Sequence, residues 1–123
     1  MQIYATKAFQ RFRRKERIKG AALIDAIDRA ARGLVDADLG GNLIKQRVAR
    51  PGQGKSGSYR TVIAYRTANR AVFLHGFAKN AKANIGPREL AHWQLIAADL
   101  LGATDAAIEV ALADDELTEV TDE

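Results

Sequence analysis

Apolar residues recur along this chain at two spacings, one typical of helices and one typical of strands. In one segment they fall three or four positions apart, as on one face of a helix, at Leu23, Ile27, Ala30 and Leu34. Between residues 43 and 77 they alternate with polar residues or run together with β-branched and aromatic ones, which predicts strands. The predicted elements are a strand at 1–5, helices at 7–19 and 21–34, strands at 43–50, 59–66 and 71–77, and helices at 87–102 and 104–113.

This order of elements predicts an α+β fold. Two N-terminal helices are expected to pack on one face of an antiparallel sheet, and further helices follow at the C-terminal end. The other face of the sheet would then carry the basic residues of its strands. The length of 123 residues suits a single domain at 1–113, followed by an acidic tail at 114–123 that we expect to be flexible.

Charge is divided unevenly between the two ends of the chain. All 19 lysines and arginines lie at or before Arg88, whereas ten of the 15 acidic residues follow it. Residues 39–88 include ten basic side chains and no acidic one. A segment without carboxylates lacks the groups that repel phosphate, so it points to a nucleic acid partner, and a basic face that is merely solvated is the alternative.

The composition also excludes several kinds of site. The chain has no cysteine, which excludes disulfides, thiolate metal sites and a cysteine nucleophile. Neither His75 nor His92 has a carboxylate at the spacing that a zinc site needs, so no metal or other cofactor is expected. The first apolar run is too short for a signal peptide, and no run approaches the ~20 residues that cross a bilayer. We therefore expect a cytoplasmic protein without a membrane partner.

The predicted strand at 59–66 places Arg60 on one face and Tyr59 on the other. Lys45 or Arg47, on the preceding strand, could meet Arg60 on the same face. Such a cluster suits RNA, because cations neutralise phosphates and aromatic rings stack on unpaired bases at ~1–3 kcal/mol each. The same cations could stabilise the charge that develops when a 2′-hydroxyl attacks its neighbouring phosphate, and a lysine whose pKa is lowered by neighbouring cations could move the proton.

Two stretches of sequence resemble a known family. The run LIKQRVARPGQGKSGSYRTVIAYR, followed by AVFLHGFAKNAKANI and a helix, resembles the RelE/ParE superfamily of type II toxin–antitoxin toxins. The features GKSG-x-YR and GFAKN resemble its RelE-type branch in particular. The resemblance covers residues 1–102 and implies two N-terminal helices on a four-stranded antiparallel sheet.

The resemblance also implies an activity and a set of partners. RelE-type toxins are ribosome-dependent endoribonucleases (mRNA interferases) that cut messenger RNA in the A site by 2′-hydroxyl attack without a metal. The implied partners are a cognate antitoxin, ribosome-bound messenger RNA and ribosomal RNA, with no small-molecule cofactor. By position in the motifs, the implied catalytic residues are Lys45, Arg47, Arg60 and Lys79. The candidate RNA-binding residues are Arg50, Lys55, Tyr59, Phe77 and Lys82.

Several alternatives stay open at this point. The best-known members carry a base-stacking tyrosine where this chain has Ile85 or Gly86, so Phe77 is a candidate substitute. His75 is either a general acid or base or a structural residue beside Phe73 on the helix-facing side of its strand. The acidic tail could fold over the basic face and screen it. At the level of function, the alternatives are a ParE-like inhibitor of DNA gyrase and a non-catalytic nucleic-acid-binding module.

Overall fold

The computed structural model describes residues 1–50, 57–78 and 85–122, and its centre is a sheet covered by helices on both faces. The strands occur in the sheet in the order β2-β3-β4-β5-β1-β6. Neighbouring strands are antiparallel except β1 and β5, which are parallel. The elements are β1 (Gln2–Thr6), α1 (Lys7–Glu16), α2 (Gly20–Ala31), β2 (Ala37–Gly40), β3 (Leu43–Val48), β4 (Tyr59–Arg66), β5 (Arg70–Ala78), α3 (Pro87–Gly102), α4 (Asp105–Ala113) and β6 (Leu117–Glu119).

The sheet differs from the expected four-stranded antiparallel one. It has six strands, and the parallel pairing of β1 with β5 makes it mixed. The two additional strands, β2 and β6, have only four and three residues, which is too short for alternation to be visible in the sequence. They form because each pairs with a longer neighbour, β2 with β3 and β6 with β1.

The first core lies between the sheet and helices α1 and α2. Thr6 caps α1, because its hydroxyl accepts a hydrogen bond from the amide of Phe9. The helix places Phe9 against Phe73 of β5, with ring centroids 5.0 Å apart. Leu23 and Ile27 of α2 complete this layer, and the central residues are fully buried.

The second core lies on the opposite face, where the sequence analysis expected an uncovered basic surface. Helices α3 and α4 pack there, with Ala97, Leu101 and Ile108 against Val62 and other apolar residues of the strands. The basic residues of β3 and β4 are therefore exposed only where this helical layer ends. No helix within the described ranges is long and apolar enough to cross a membrane.

The C-terminal segment is tied to the sheet, in contrast to the flexible tail that we expected for 114–123. Leu117 and Val120 are buried, β6 pairs with β1, and the amide of Val120 donates to the carbonyl of Ile3. Four strand spacings separate β6 from β3, which is roughly 19 Å. This part of the tail therefore does not screen the basic residues of β3.

Close packing of this C-terminal segment explains why α2 begins with a glycine. A Cβ atom on Gly20 would lie 1.7 Å from the backbone oxygen of Thr121, so only glycine allows this approach. We expect Gly20→Ala to destabilise the protein by about 1–3 kcal/mol through overpacking, although alanine is the better helix former. Urea unfolding would measure the change.

A matched control for this variant is Gly102→Ala at the end of α3, where a methyl group would have no heavy atom within 4 Å of it. Alanine there should be neutral or stabilise the protein by up to about 1 kcal/mol. Equal stability of both variants would contradict the close packing of the tail on Gly20.

Arg70 of β5 is only 4% exposed, and its side chain caps the C-terminus of α3. Its guanidinium donates to the carbonyls of Leu100 and Ala103, at 2.7 and 2.9 Å. We expect Arg70→Met to cost about 2–4 kcal/mol in thermal or urea unfolding, because two carbonyls lose their donor.

Arg66→Met is the control for Arg70→Met, since Arg66 is exposed and donates once to the carbonyl of Leu101 at 3.1 Å. Its loss should cost about 1 kcal/mol or less. A cost at Arg66 as large as that at Arg70 would argue against a specific role for the buried arginine.

Candidate functional site

Two rows of residues cross β3, β4 and β5 on the face that α3 covers in part. In one row Lys45 is the register partner of Val62, which is in turn the partner of His75. In the next row Arg47, Arg60 and Phe77 are paired in the same way. The sheet thus brings together Lys45, Arg47 and Arg60, as the sequence predicts, and each of the three is partly exposed. We call these two rows the basic rows.

Arg47 and Arg60 lie directly opposite each other on antiparallel strands, an arrangement in which like charges repel. Arg60 is anchored by a hydrogen bond from Nη1 to the carbonyl of Ser58, at 3.2 Å. Arg47 forms an ion pair with Asp36, with Nη2 and Oδ1 3.2 Å apart. The Asp36 carboxylate offsets one of the two positive charges, so the net charge around Arg47 and Arg60 is smaller than the two arginines alone would give.

Asp36 lies just outside the acid-free segment of 39–88, and for that reason the sequence analysis does not connect it with Arg47. Asp36 directly precedes β2, and the antiparallel pairing of β2 with β3 places it beside Arg47. Two carboxylates, Asp36 and Asp38, precede the basic segment, and both are candidate partners for its cations. The structure pairs the farther one, Asp36, with Arg47.

His75 lies on the α3 side of the sheet, and the expectation that it shares a face with Phe73 is wrong. A β-bulge between the pairs Val62–His75 and Ile63–Phe73 adds one residue to β5 and reverses the alternation. The half-buried His75 ring stacks on Trp93 of α3, with centroids 4.9 Å apart and planes inclined by 29°. It therefore borders the basic rows, together with an aromatic ring that the sequence analysis does not assign to the site.

Tyr59, a candidate RNA-binding residue, lies on the other face of the sheet. Its ring is 4% exposed and packs edge-on against Phe12, while the guanidinium of Arg50 lies 5.4 Å from its centroid. Its hydroxyl donates to the carbonyl of Glu16, at 3.4 Å. Burial, and secondarily a side-chain hydrogen bond with Glu16, raises the pKa of Tyr59 above its ordinary value of 10.0. Tyr59 and Arg50 are thus separated from the basic rows by the sheet.

Phe77 lies in the second basic row but is 9% exposed, which leaves little of its ring for stacking on a base. Its centroid is 5.8 Å from that of His75. Strand β5 ends at Ala78, and Lys79 follows it in the sequence. The remaining candidates, Lys55, Lys79 and Lys82, lie outside the described residues.

One cavity lies away from the basic rows. It has a volume of about 360 Å³ and is lined by Asp38, Asn42 and Tyr65 among others, at the opposite end of β4 from Arg60. None of the predicted site residues that the structure describes lines it. In the described parts of the chain, no group of three histidine, aspartate or glutamate side chains is arranged to hold a metal ion.

Comparison with protein families gives a match that spans almost the whole chain. The model of the family described as RelE toxin of the RelE / RelB toxin–antitoxin system matches residues 1–120. The chain belongs to the RelE toxin family. It is therefore a toxin of a toxin–antitoxin system, and its protein partner is a cognate antitoxin. No curated protein matched the sequence.

The buried Tyr59 of this RelE-family toxin gives a test by pH. Because the folded-state pKa of Tyr59 is raised, its neutral phenol stabilises the fold fully below pH 10.0, and this contribution is lost as the pH rises through the folded pKa. The Tyr59→Phe variant lacks this titration, so the free energy of unfolding of the variant should fall less steeply above pH 10.0 than that of the wild type. Urea unfolding across this pH range measures the free energy of unfolding of both proteins. Parallel curves would contradict a raised pKa at Tyr59.

Proposed function

We propose that this toxin is a ribosome-dependent endoribonuclease that cleaves messenger RNA in the A site. One observation carries the proposal: Lys45, Arg47 and Arg60 project from two adjacent, register-paired strands of a rigid sheet. Cations fixed in this way can contact neighbouring phosphates of one RNA strand. The membership in the RelE family supports the same activity.

In the proposed reaction, the 2′-oxygen of a nucleotide attacks the adjacent phosphorus while the bond from phosphorus to the 5′-oxygen breaks. The 2′-hydroxyl loses a proton, the departing 5′-oxygen gains one, and the products are a 2′,3′-cyclic phosphate and a 5′-hydroxyl end. Negative charge builds up on the non-bridging phosphate oxygens. Fixed donors that point at this charge lower the barrier more than they stabilise the bound substrate.

Arg60 is the proposed phosphate-binding residue. Its hydrogen bond to the carbonyl of Ser58 uses Nη1 and holds the guanidinium in place. A guanidinium has five N–H groups in a planar fork, so others can donate in parallel to two phosphate oxygens. Arg47, its register partner, is proposed to bind the same or the adjacent phosphate when the RNA competes with Asp36.

Lys45 is one proposed group for proton transfer, and Lys79 is the other. Lys45 lies in the row next to Arg47 and Arg60, on the same partly exposed part of the sheet. His75 and Trp93 form the aromatic edge of the basic rows, so a base can stack there in place of the tyrosine that the family resemblance led us to seek. In this proposal Phe77 supports the ring of His75.

The shape of this surface supports the proposed dependence on the ribosome. A sheet face holds RNA from one side only, whereas the reaction needs the 2′-oxygen in line with the breaking bond. Alignment of reacting groups contributes several kcal/mol to catalysis, and a second surface has to provide it. In the proposed mechanism this surface is the decoding site of the ribosome.

The test is a reconstituted translation reaction with the purified toxin, in which primer extension maps the ends of the message. We expect wild-type protein to cut the translated message at A-site positions and Arg60→Ala to cut it about 10²–10³-fold more slowly. The control is Arg11→Ala, which removes one positive charge from the exposed surface of α1, behind the sheet.

The outcomes of this reaction separate the competing functions. Cleavage of ribosome-free RNA at the same rate would mean a free ribonuclease. Intact messages with wild-type toxin would reject nuclease activity, and a supercoiling assay would then test inhibition of gyrase. Equal cleavage by Arg60→Ala and Arg11→Ala would place the active site elsewhere.

A further inference from the structure

We propose that Asp36 is a positioning residue that neutralises Arg47 and so limits how strongly the basic rows bind RNA. The inference rests on the proposed function, because it treats the basic rows as the RNA site. It concerns a residue outside the basic segment, and it explains how two register-paired arginines can be accommodated side by side.

Asp36 contacts both the backbone and the side chain of Arg47. Its Oδ2 accepts hydrogen bonds from the backbone N–H of Arg47 at 2.6 Å and from Nε at 3.4 Å. Its Oδ1 lies 3.2 Å from Nη2. One carboxylate thus holds the guanidinium at two points and the peptide at a third, which fixes where Arg47 can lie.

Asp36 is itself held in place by the core. Its backbone N–H donates to Oε1 of Gln46, at 3.0 Å, and the Gln46 side chain is fully buried. The amide nitrogen of Gln46 donates to the carbonyls of Ala26 and Leu34, at 3.0 Å each. Arg29 of α2 donates in turn to the carbonyl of Arg47. The position of the carboxylate is therefore set by α2 and β3 together.

The ion pair is accessible to a competing anion. The side chains of Arg47 and Asp36 are 32% and 26% exposed, so water reaches both of them. Pairs of this kind contribute little to stability, and a phosphate can replace the carboxylate as the partner of the guanidinium. While Asp36 keeps its charge, each such replacement leaves a carboxylate close to the bound phosphate. Asp36 therefore weakens RNA binding even when Arg47 takes part in it.

The variant Asp36→Asn tests this inference. An asparagine oxygen can still accept the backbone N–H of Arg47, but the negative charge is gone and Arg47 is free to pair with phosphate. The probe is a short single-stranded RNA with 2′-O-methyl groups, which binds but cannot be cleaved, and its affinity is measured by fluorescence anisotropy over a range of salt concentrations. We expect tighter binding at low salt and a slope of log K against log salt that is steeper by up to about 0.7, the value for one whole additional phosphate contact on a single strand.

Three further proteins identify the source of the effect: Asp28→Asn, Arg47→Ala and the double variant of Arg47→Ala with Asp36→Asn. Asp28→Asn removes the same charge from the exposed surface of α2 and should bind the RNA as the wild type does. In an Arg47→Ala background, Asp36→Asn should no longer steepen the slope, because the cation that it releases is missing. Thermal unfolding of each variant shows whether it is folded under the conditions of the binding experiment.

The inference is overturned if Asp36→Asn matches Asp28→Asn in both affinity and slope, or if its effect persists without Arg47. It is also overturned if wild-type toxin does not bind the modified RNA at low salt. The proposed function is decided separately by cleavage of the translated message. A toxin that cleaves messages but shows no effect of Asp36→Asn would therefore remove this inference alone.

Discussion

The register between β3 and β4 is the constraint on which both the fold and the candidate site depend. Gln46 and Thr61 are register partners, both are fully buried, and the Thr61 hydroxyl donates to the carbonyl of Gln46 at 2.8 Å. A slip of one residue would exchange the two faces of β3. It would bring Arg47 to the core of α1 and α2 and expose the Gln46 amide, whose hydrogen bonds join β3 to α2. A stable fold and an exposed cluster of cations thus require the same pairing.

Strong local patterns make part of this structure predictable from the sequence. Strands β4 and β5 are rich in β-branched and aromatic residues, and the sequence predicts the bounds of β4 correctly. The alternation in β4 also places Arg60 on the opposite face from Tyr59, as the structure has it. The hydroxyls of Thr6 and Thr104 cap α1 and α4, because threonine at these positions satisfies a backbone N–H that the helix leaves unpaired.

The features that the sequence does not predict depend on partners far away in the chain. Strand β6 forms from an acidic segment of low β propensity because Leu117 is buried beside β1. The bulge in β5 reverses the face of His75, and the local hint of it is the neighbouring Gly76. The contact of Asp36 with Arg47 depends on the pairing of the short strand β2 with β3. These are tertiary effects that override local preference.

The charge division along the chain becomes a division in space, although not by the tail folding over the basic face. Arg60 and Arg66 lie six positions apart on β4, or ~20 Å, at opposite ends of the α3 side of the sheet. The second end also holds Arg70, which binds the C-terminus of α3 and the Asp105 that opens α4. Arg66 and Arg70 at this end thus bind carbonyls of α3, and Arg70 also forms an ion pair with Asp105. Lys45 and Arg60 lie at the other end of this face, beside the Arg47–Asp36 pair, and there their charges can attract a polyanion.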